Sequence, residues 1–193
     1  MKASNKEVYV PYRDFKGRFM KLPELETAEH MPDSKLYFGY GSNLDMFSMK
    51  RRCPDSIPVC AAVLPDYRLT FSGVLTIEPD CPGESVYGAI YEVSHTDEGE
   101  LDIYEGYPHL YIKRFTHVTV AGVRREVFYY VMPKGSYSVA PPGAGYYEVC
   151  EQGYLDWGLD VALLQASRKR AWSQRKDFYA TKTVNTRYIT EIS

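Results

Sequence analysis

Metal-binding patterns are missing from this chain of 193 residues. It has four cysteines, and no two of them are spaced as C-x-x-C. Its four histidines contain no H-x-x-x-H pair. Because zinc sites usually show such spacings, the sequence predicts no metal site. The chain shows no secretory signal, so reduced thiols are expected, although a cysteine nucleophile with a partner distant in sequence stays an alternative.

Long apolar runs are also absent. The longest runs fall far below the roughly 20 residues that a membrane-spanning helix needs. Residues 1–6 are not followed by the apolar stretch of a signal peptide. The net charge of -2 provides no global attraction for nucleic acid or for a membrane surface. The sequence therefore predicts a cytoplasmic protein without a membrane partner.

Apolar residues and tyrosine are abundant. Apolar residues make up 45% of the chain and charged residues 25%, which allows a buried core. There are 18 tyrosines, each combining a large apolar ring with a hydroxyl group. Such residues suit either half-buried strands or a pocket with polar walls. The length favours one domain with appended tails.

A turn of small residues follows an aromatic segment near position 40. The segment from Leu36 to Tyr40 predicts a short buried strand, and the segment from Leu44 to Met49 predicts a short helix. Gly41, Ser42 and Asn43 lie between them and favour a turn. Several N–H groups of such a turn can converge on an anion or on a carbonyl oxygen. An ordinary strand-to-helix connection is the alternative interpretation.

A second informative stretch places a carboxylate at the end of a helix. Ser94 is a good N-cap, while Gly106 and Pro108 are typical of a helix end. Glu105 is thus the last helical residue, where the helix dipole disfavours a negative charge and raises the carboxylate pKa. A raised pKa suits a general base near neutral pH. A solvated surface charge is the other interpretation.

The remaining pattern predicts a domain rich in strands with two further helices. Strands are expected within residues 59–71, 74–77, 85–93, 110–120 and 125–132. One helix is expected to begin at Tyr146 and to be stopped by Gly153, and another to cover residues 161–166. We expect the main domain to span residues 35–166.

The two ends of the chain fall outside this domain. Residues 1–34 predict a hairpin followed by a linker, or alternatively an arm that binds a partner. Residues 167–193 hold seven Lys or Arg residues and two acidic residues. A basic tail can contact nucleic acid or an acidic partner, but a solvated helix end is the simpler interpretation. The sequence does not predict the oligomeric state.

Three stretches, in this order, resemble the gamma-glutamylcyclotransferase-like family. They are Tyr40-Gly41-Ser42-Asn43, Val86-x-Gly88-x-x-Tyr91 and Leu101-Asp102-Ile103-Tyr104-Glu105-Gly106. Tyr111 at the start of a strand, Tyr130 to Met132 and Ala140 to Pro142 extend the similarity. The resemblance covers about residues 35–165.

The resemblance implies a fold and a reaction. The fold is α+β, with a small mixed β-barrel-like sheet and flanking helices around a central cavity. The reaction releases 5-oxoproline from a γ-glutamyl compound, without a metal or an organic cofactor, and Glu105 is the implied general acid and base. The implied substrate-binding residues are Tyr37, Phe38, Gly39, Tyr40, Gly41, Ser42, Asn43, Tyr111 and Tyr130.

Some points stay open within this resemblance. His109 lies in an unusually bulky loop and is a second candidate proton carrier. The partner is a small γ-glutamyl molecule whose leaving group the sequence does not define. A non-catalytic protein that uses the same scaffold for binding is the alternative function. If the enzyme interpretation holds, Glu105 should face the turn at residues 41–43, with room for one small ligand between them.

Overall fold

The computed structural model describes residues 33–120 and 123–190, together with residues 12–13 and 19–20. Side chains are described for residues 33–120 and 123–175. The strands in these residues are β1 (Tyr12–Arg13), β2 (Phe19–Met20), β3 (Lys35–Gly39), β4 (Ile57–Pro65), β5 (Arg68–Ser72), β6 (Val74–Glu78), β7 (Ser85–Val93), β8 (Ile112–Val120) and β9 (Val123–Val131). The α-helices are α1 (Met46–Arg52), α2 (His95–Glu105), α3 (Ala144–Asp156) and α4 (Val161–Thr190).

The main sheet has five strands in the order β4-β7-β3-β9-β8. Neighbouring strands are antiparallel except for β3 and β9, which run parallel. Strands β5 and β6 form a separate two-stranded hairpin. The sheet curls into a half-barrel flanked by the four helices, so the predicted α+β, barrel-like fold class is confirmed.

Strand β3 and its neighbour β7 lie unusually close together at Gly88. A Cβ atom built on Gly88 would lie 2.2 Å from the carbonyl oxygen of Gly39 and 2.6 Å from Cζ of Phe38. Real Cβ contacts do not come this close, so only glycine fits here. A glycine inside a strand pattern indicates either a bulge or a close backbone approach, and the structure shows the close approach.

Helix α3 differs from the prediction. It was expected to end at Gly153, but it continues through that residue to Asp156. Gly153 faces the start of α1: a Cβ there would meet Cβ of Leu44 at 2.5 Å and the amide nitrogen of Asp45 at 2.6 Å. Glycine is needed for close packing rather than as a stop signal, which explains why the predicted end was wrong.

Helix α4 runs across the predicted boundary between residues 166 and 167. Ser167 Oγ and Arg170 Nη2 both donate to the carbonyl oxygen of Leu69 in β5, each at 2.8 Å. Ala171 is completely buried. The first part of the basic segment therefore packs against the domain.

Little of the N-terminal prediction falls on described residues. Strands β1 and β2 pair antiparallel, with Tyr12 opposite Met20 and Arg13 opposite Phe19. Up to position 32, the rest of the hairpin and linker predicted for residues 1–34 lies outside the described residues. In the described part of the chain, no helix is both long and apolar enough to cross a membrane.

Candidate active site

The turn after β3 is short and well anchored. It forms a single 3-10 turn at Ser42–Leu44, followed by α1, whose N-cap Asp45 accepts a hydrogen bond from the Ser48 N–H at 2.8 Å. From α3's C-cap, the indole N–H of Trp157 donates to the Leu44 carbonyl oxygen at 3.0 Å. Strand β3 and helix α3 thus fix the turn from two sides.

Glu105 lies opposite this turn. Helix α2 begins at the predicted N-cap, where Ser94 Oγ accepts a hydrogen bond from the Asp97 N–H at 3.1 Å. It ends at Gly106, whose φ of 64° is the left-handed conformation that favours glycine. Glu105 is therefore the last residue of the helix, as the sequence predicts.

Asn43 and Glu105 are in direct contact. Asn43 Nδ2 donates to Glu105 Oε1 at 2.7 Å. The turn and the carboxylate therefore face each other, as expected. The expected ligand-sized gap is wrong for this pair, because the side chain of Asn43 fills it. A ligand at this site has to approach the other oxygen of the carboxylate.

The side-chain amide of Asn43 is used entirely within the protein. Besides Glu105, Nδ2 donates to the hydroxyl of Tyr37 at 2.8 Å. Its Oδ1 accepts a hydrogen bond from Nη1 of Arg52. Asn43 is also almost fully buried. Its side chain positions Glu105 and has no free donor for a substrate.

Opposing effects act on the charge of Glu105. Burial raises the pKa of its carboxyl group to about 7, although the Asn43 hydrogen bond and the positive charge of Arg52 lower it. Oε2 has no donor among the described side chains and backbone groups. Among the described residues, the side-chain polar atoms that are fully buried without a partner are the two carboxylate oxygens of Asp97. Oε2 of Glu105 has no partner and is not among them, so it keeps access to solvent.

Four tyrosines that were predicted to bind substrate surround the carboxylate of Glu105, and the hydroxyl of each already has a hydrogen-bond partner. The hydroxyl of Tyr37 accepts from Asn43, and that of Tyr40 donates to the Tyr130 carbonyl oxygen at 2.7 Å. The pKa of all four tyrosine hydroxyls is raised. Burial is the main cause, and the nearby negative charge of Glu105 is a smaller one. The four tyrosines are Tyr37, Tyr40, Tyr111 and Tyr130. All four therefore stay neutral at physiological pH.

The hydroxyls of Tyr111 and Tyr146 meet at one residue of strand β6. Tyr111 donates to the carbonyl oxygen of Leu75 at 2.5 Å, and the N–H of Leu75 donates to the hydroxyl of Tyr146 at 3.0 Å. An ideal Cβ on Gly41 would lie 3.4 Å from that Tyr146 hydroxyl. Strand β6 thus lies directly behind the turn.

Two other predicted residues contribute main-chain geometry rather than side chains. Phe38 is fully buried, and its ring packs near Gly88 and Tyr40, so it does not join the group around Glu105. A Cβ on Gly39 would lie 3.4 Å from the ring of Tyr37. A small residue at position 39 leaves room for that ring.

The structure adds two residues that the sequence did not indicate. Arg52 lies over the ring of Tyr104, with Cζ 3.2 Å from the ring centroid. The hydroxyl of Tyr104 is 3.0 Å from Ser42 Oγ. The helix dipole alone is enough to explain a basic run at the end of a helix, such as that at residues 50–52. Consecutive residues on a helix point about 100° apart, however, and Arg52 is the partly buried member of this run.

Behind Tyr130 lies a chain of charged groups. The Tyr130 hydroxyl donates to Asp102 Oδ1 at 2.6 Å, and Nζ of Lys113 donates to Asp102 Oδ2 at 2.9 Å. Lys113 also donates to Glu98 at 2.6 Å, and Lys35 donates to Glu98 at 2.7 Å. This series of charged side chains holds the hydroxyl of Tyr130 in one direction beside the site.

Replacing Lys113 with Met should lower the free energy of unfolding by about 1.5–3 kcal/mol, the range for hydrogen bonds to charged groups. Burial alone would raise the pKa of Glu98, but hydrogen bonds from Lys113 and Lys35 lower it overall. The stabilisation that Glu98 gains from the two lysines is therefore present above the ordinary glutamate pKa. It is lost as the pH falls through the lowered pKa of Glu98. Urea unfolding at pH 7 and in acid checks this, with the exposed Lys134→Met as a control that should change little.

The remaining candidates do not join the site. His109 is exposed in the loop after α2, where its backbone N–H donates to the Gly106 carbonyl oxygen at 2.8 Å. Burial raises the pKa of the Cys53 and Cys150 thiols to about 12 and that of Cys60 to about 11. These thiols are poor candidates for a nucleophile, because the thiolate is the reactive form. Within the described residues, no cluster of side chains suits a metal ion.

The site thus combines one largely buried carboxylate with the turn of small residues that follows β3. Comparisons with known proteins give the family. Residues 37–149 match the family model for gamma-glutamyl cyclotransferase, AIG2-like. The chain belongs to this family, and the predicted resemblance is confirmed.

Individual relatives agree with this result. Human gamma-glutamylcyclotransferase is 30% identical over 143 residues, which cover 67% of this chain and 74% of the human protein. A solved structure of a gamma-glutamyl cyclotransferase superposes with a TM-score of 0.62 and 27% identity, covering 70% of this chain and 87% of that one. YkqA from Bacillus subtilis, at 21% identity and a TM-score of 0.58, shares the fold, with 74% of this chain and 55% of that one covered.

Proposed function

We propose that the protein is a gamma-glutamylcyclotransferase that releases 5-oxoproline from a γ-glutamyl amine or a γ-glutamyl amino acid. The observation that carries the proposal is the carboxylate of Glu105, with one oxygen held by Asn43 and the other open to solvent. It lies in a chain that belongs to the cyclotransferase family. Its position is the one expected for a group that meets a bound substrate.

The proposed reaction is an intramolecular acyl transfer. The α-amine of the substrate loses a proton and attacks its own γ-carbonyl carbon, and the new C–N bond closes a five-membered ring. The original C–N bond then breaks, and the leaving nitrogen takes up a proton. Glu105 Oε2 accepts the first proton and returns it to the leaving group. A pKa of about 7 suits both steps, because the group is neither too weak a base nor too weak an acid near neutral pH.

The turn supplies groups for the other end of the substrate. The N–H groups of Leu44 and Asp45 bond to carbonyl oxygens of the turn itself. Within residues 33–120 and 123–175, whose side chains are described, no acceptor is seen for the N–H groups of Gly41, Ser42 and Asn43. Such N–H groups stabilise either the oxyanion that forms at the γ-carbonyl or the α-carboxylate of the substrate.

The buried tyrosines provide an apolar wall around the reacting groups. Tyr37 packs against Tyr130 and Phe128, with ring centroids 5.9 and 5.3 Å apart. Their hydroxyls are occupied by protein partners, so the wall is rigid and adds few free polar groups. Exclusion of water from this side strengthens the electrostatic contacts of Glu105.

A panel of γ-glutamyl compounds tests the proposal. The purified protein should release 5-oxoproline from at least one γ-glutamyl amino acid or amine, measured by chromatography. The matched controls are the α-glutamyl isomer, whose γ-carboxylate carries no leaving amine, and the N-acetylated substrate, whose α-amine is blocked. If no compound reacts but some raise the melting temperature, the protein is a binding protein on this scaffold and the proposal fails.

A further inference from the structure

We propose that Arg52 is a positioning residue that directs Glu105 through the side chain of Asn43. Arg52 fixes which side of the Asn43 amide faces the carboxylate, and it places a positive charge beside that carboxylate. The inference rests on the proposed role of Glu105 as the proton carrier. It assigns a role to the end of α1, away from the Tyr40–Asn43 motif.

The direction of the Asn43 amide follows from the chemistry of its neighbours. A guanidinium group has only donors, so the group of Asn43 that meets Arg52 has to be the oxygen. The amide nitrogen then points the opposite way. Its two N–H groups reach Glu105 Oε1 at 2.7 Å and the Tyr37 hydroxyl at 2.8 Å. Arg52 thus decides that Glu105 meets a donor rather than an acceptor.

Arg52 is itself held in a fixed place. Its guanidinium stacks on the ring of Tyr104, and the hydroxyl of Tyr104 is 3.0 Å from Ser42 Oγ. A planar guanidinium can stack and donate at the same time, whereas a lysine ammonium cannot reproduce this geometry. Tyr104 directly precedes Glu105 in α2. The end of α1, the turn and the end of α2 are therefore joined through one arginine.

Loss of Arg52 changes the surroundings of Glu105 in two ways. The Asn43 amide loses the group that selects its direction, and a turned amide would present an oxygen to the carboxylate. The positive charge disappears as well. Both changes favour protonated Glu105. The charged and titratable groups that interact with Glu105 are Arg52 from α1, Tyr37 from β3, Tyr40 just after β3, Tyr111 before β8, and Tyr130 from β9. Tyr104 of α2 lies under Arg52, and Asp102 of α2 is bonded to Tyr130.

The experiment compares two neighbouring arginines of α1. In R52M, the acid limb of kcat/KM should move to higher pH by about one unit, the lower end of the effect of a nearby opposite charge on a carboxylate. Activity should then fall about tenfold below pH 7 and recover largely near pH 9. In R51M, the pH profile should stay unchanged, because Arg51 lies over the exposed ring of Phe47, with Cζ 5.7 Å from its centroid.

A second variant and a second measurement complete the test. R52K keeps the charge but loses the stacked, planar contact, so its shift should be smaller than that of R52M. Carbon-13 NMR of labelled glutamate, with the Glu105 signal assigned from E105Q, should show the same rise in pKa without any turnover. Equal losses of activity at every pH, or an unchanged Glu105 pKa in folded R52M or R52K, would overturn the inference.

The two proposals fail in different ways. If the wild-type protein turns over none of the γ-glutamyl compounds, the proposed function fails, yet the NMR titration still decides the role of Arg52. If R52M does not fold, the R52K profile and titration decide. A wild-type midpoint with reduced activity in R52K means that Arg52 serves only the fold.

Discussion

Replacing Glu105 with Gln should reduce the release of 5-oxoproline by about 10²–10⁴-fold, the typical contribution of a general acid or base. Glutamine keeps the shape of the side chain and an oxygen that can accept the Asn43 hydrogen bond. It cannot take the proton of the α-amine at Oε2 or return one to the leaving group. The loss should appear in kcat, measured by chromatography of 5-oxoproline at saturating substrate.

The stability of the same variant supplies the control. Burial raises the pKa of Glu105 from 4.5 to about 7, so the ionised form is disfavoured in the folded protein. The contribution of Glu105 to the stability of the protein is therefore fully present below its ordinary pKa of 4.5 and is lost as the pH rises through about 7. E105Q removes this loss, and its melting temperature at pH 8 should equal or exceed that of the wild type. Full turnover in a folded E105Q protein would show that Glu105 is not the proton carrier.

Replacing Gly153 with Ala should lower the free energy of unfolding by about 2–3 kcal/mol, a typical cost of overpacking. The new Cβ would lie 2.5 Å from Cβ of Leu44 and 2.6 Å from the amide nitrogen of Asp45. Two of the atoms that the new Cβ would meet belong to the main chain of Leu44 and Asp45, which cannot swing aside as a side chain can. Helix α3 therefore has to move away from the turn. That movement would also disturb the bond from Trp157 to Leu44, so activity should fall along with stability.

The same substitution at Gly145 is a matched control in the same helix. No atom lies within 4 Å of a Cβ built there. Gly145→Ala should therefore be neutral or stabilise the protein by up to about 1 kcal/mol, since alanine favours helices over glycine. Urea unfolding of both variants gives the comparison. Similar small effects at both positions would contradict the close packing of α3 on the turn.

Local patterns predicted much of the fold. Strand β7 was expected at residues 85–93 and is found at Ser85–Val93, because apolar residues and turn signals mark it clearly. Helix α2 was predicted with its N-cap Ser94 and its last residue Glu105, because capping depends on a few neighbouring residues. The tight approach at Gly88 also follows from a glycine within a strand pattern.

Contacts between distant segments were harder to predict. Gly153 was taken as a helix stop, since the sequence does not show that α3 crosses Leu44. Substrate binding by Asn43 stays a prediction for its main-chain N–H, since its side-chain amide is used by Tyr37, Glu105 and Arg52. Whether a polar side chain meets a ligand or another side chain depends on the tertiary structure. The same reason hid the contacts of Arg52, which follows two other basic residues in the sequence.

The paired hydroxyls at Leu75 have a consequence for assembly. On the side of β6 away from β5, the Leu75 carbonyl oxygen and N–H are bonded to Tyr111 and Tyr146. An edge strand with open main-chain groups is a template for pairing with another molecule. Here two phenols occupy those groups, and they belong to residues around the site. At Leu75, these two hydroxyls thus leave no main-chain group on this edge of β6 open to a strand of another molecule.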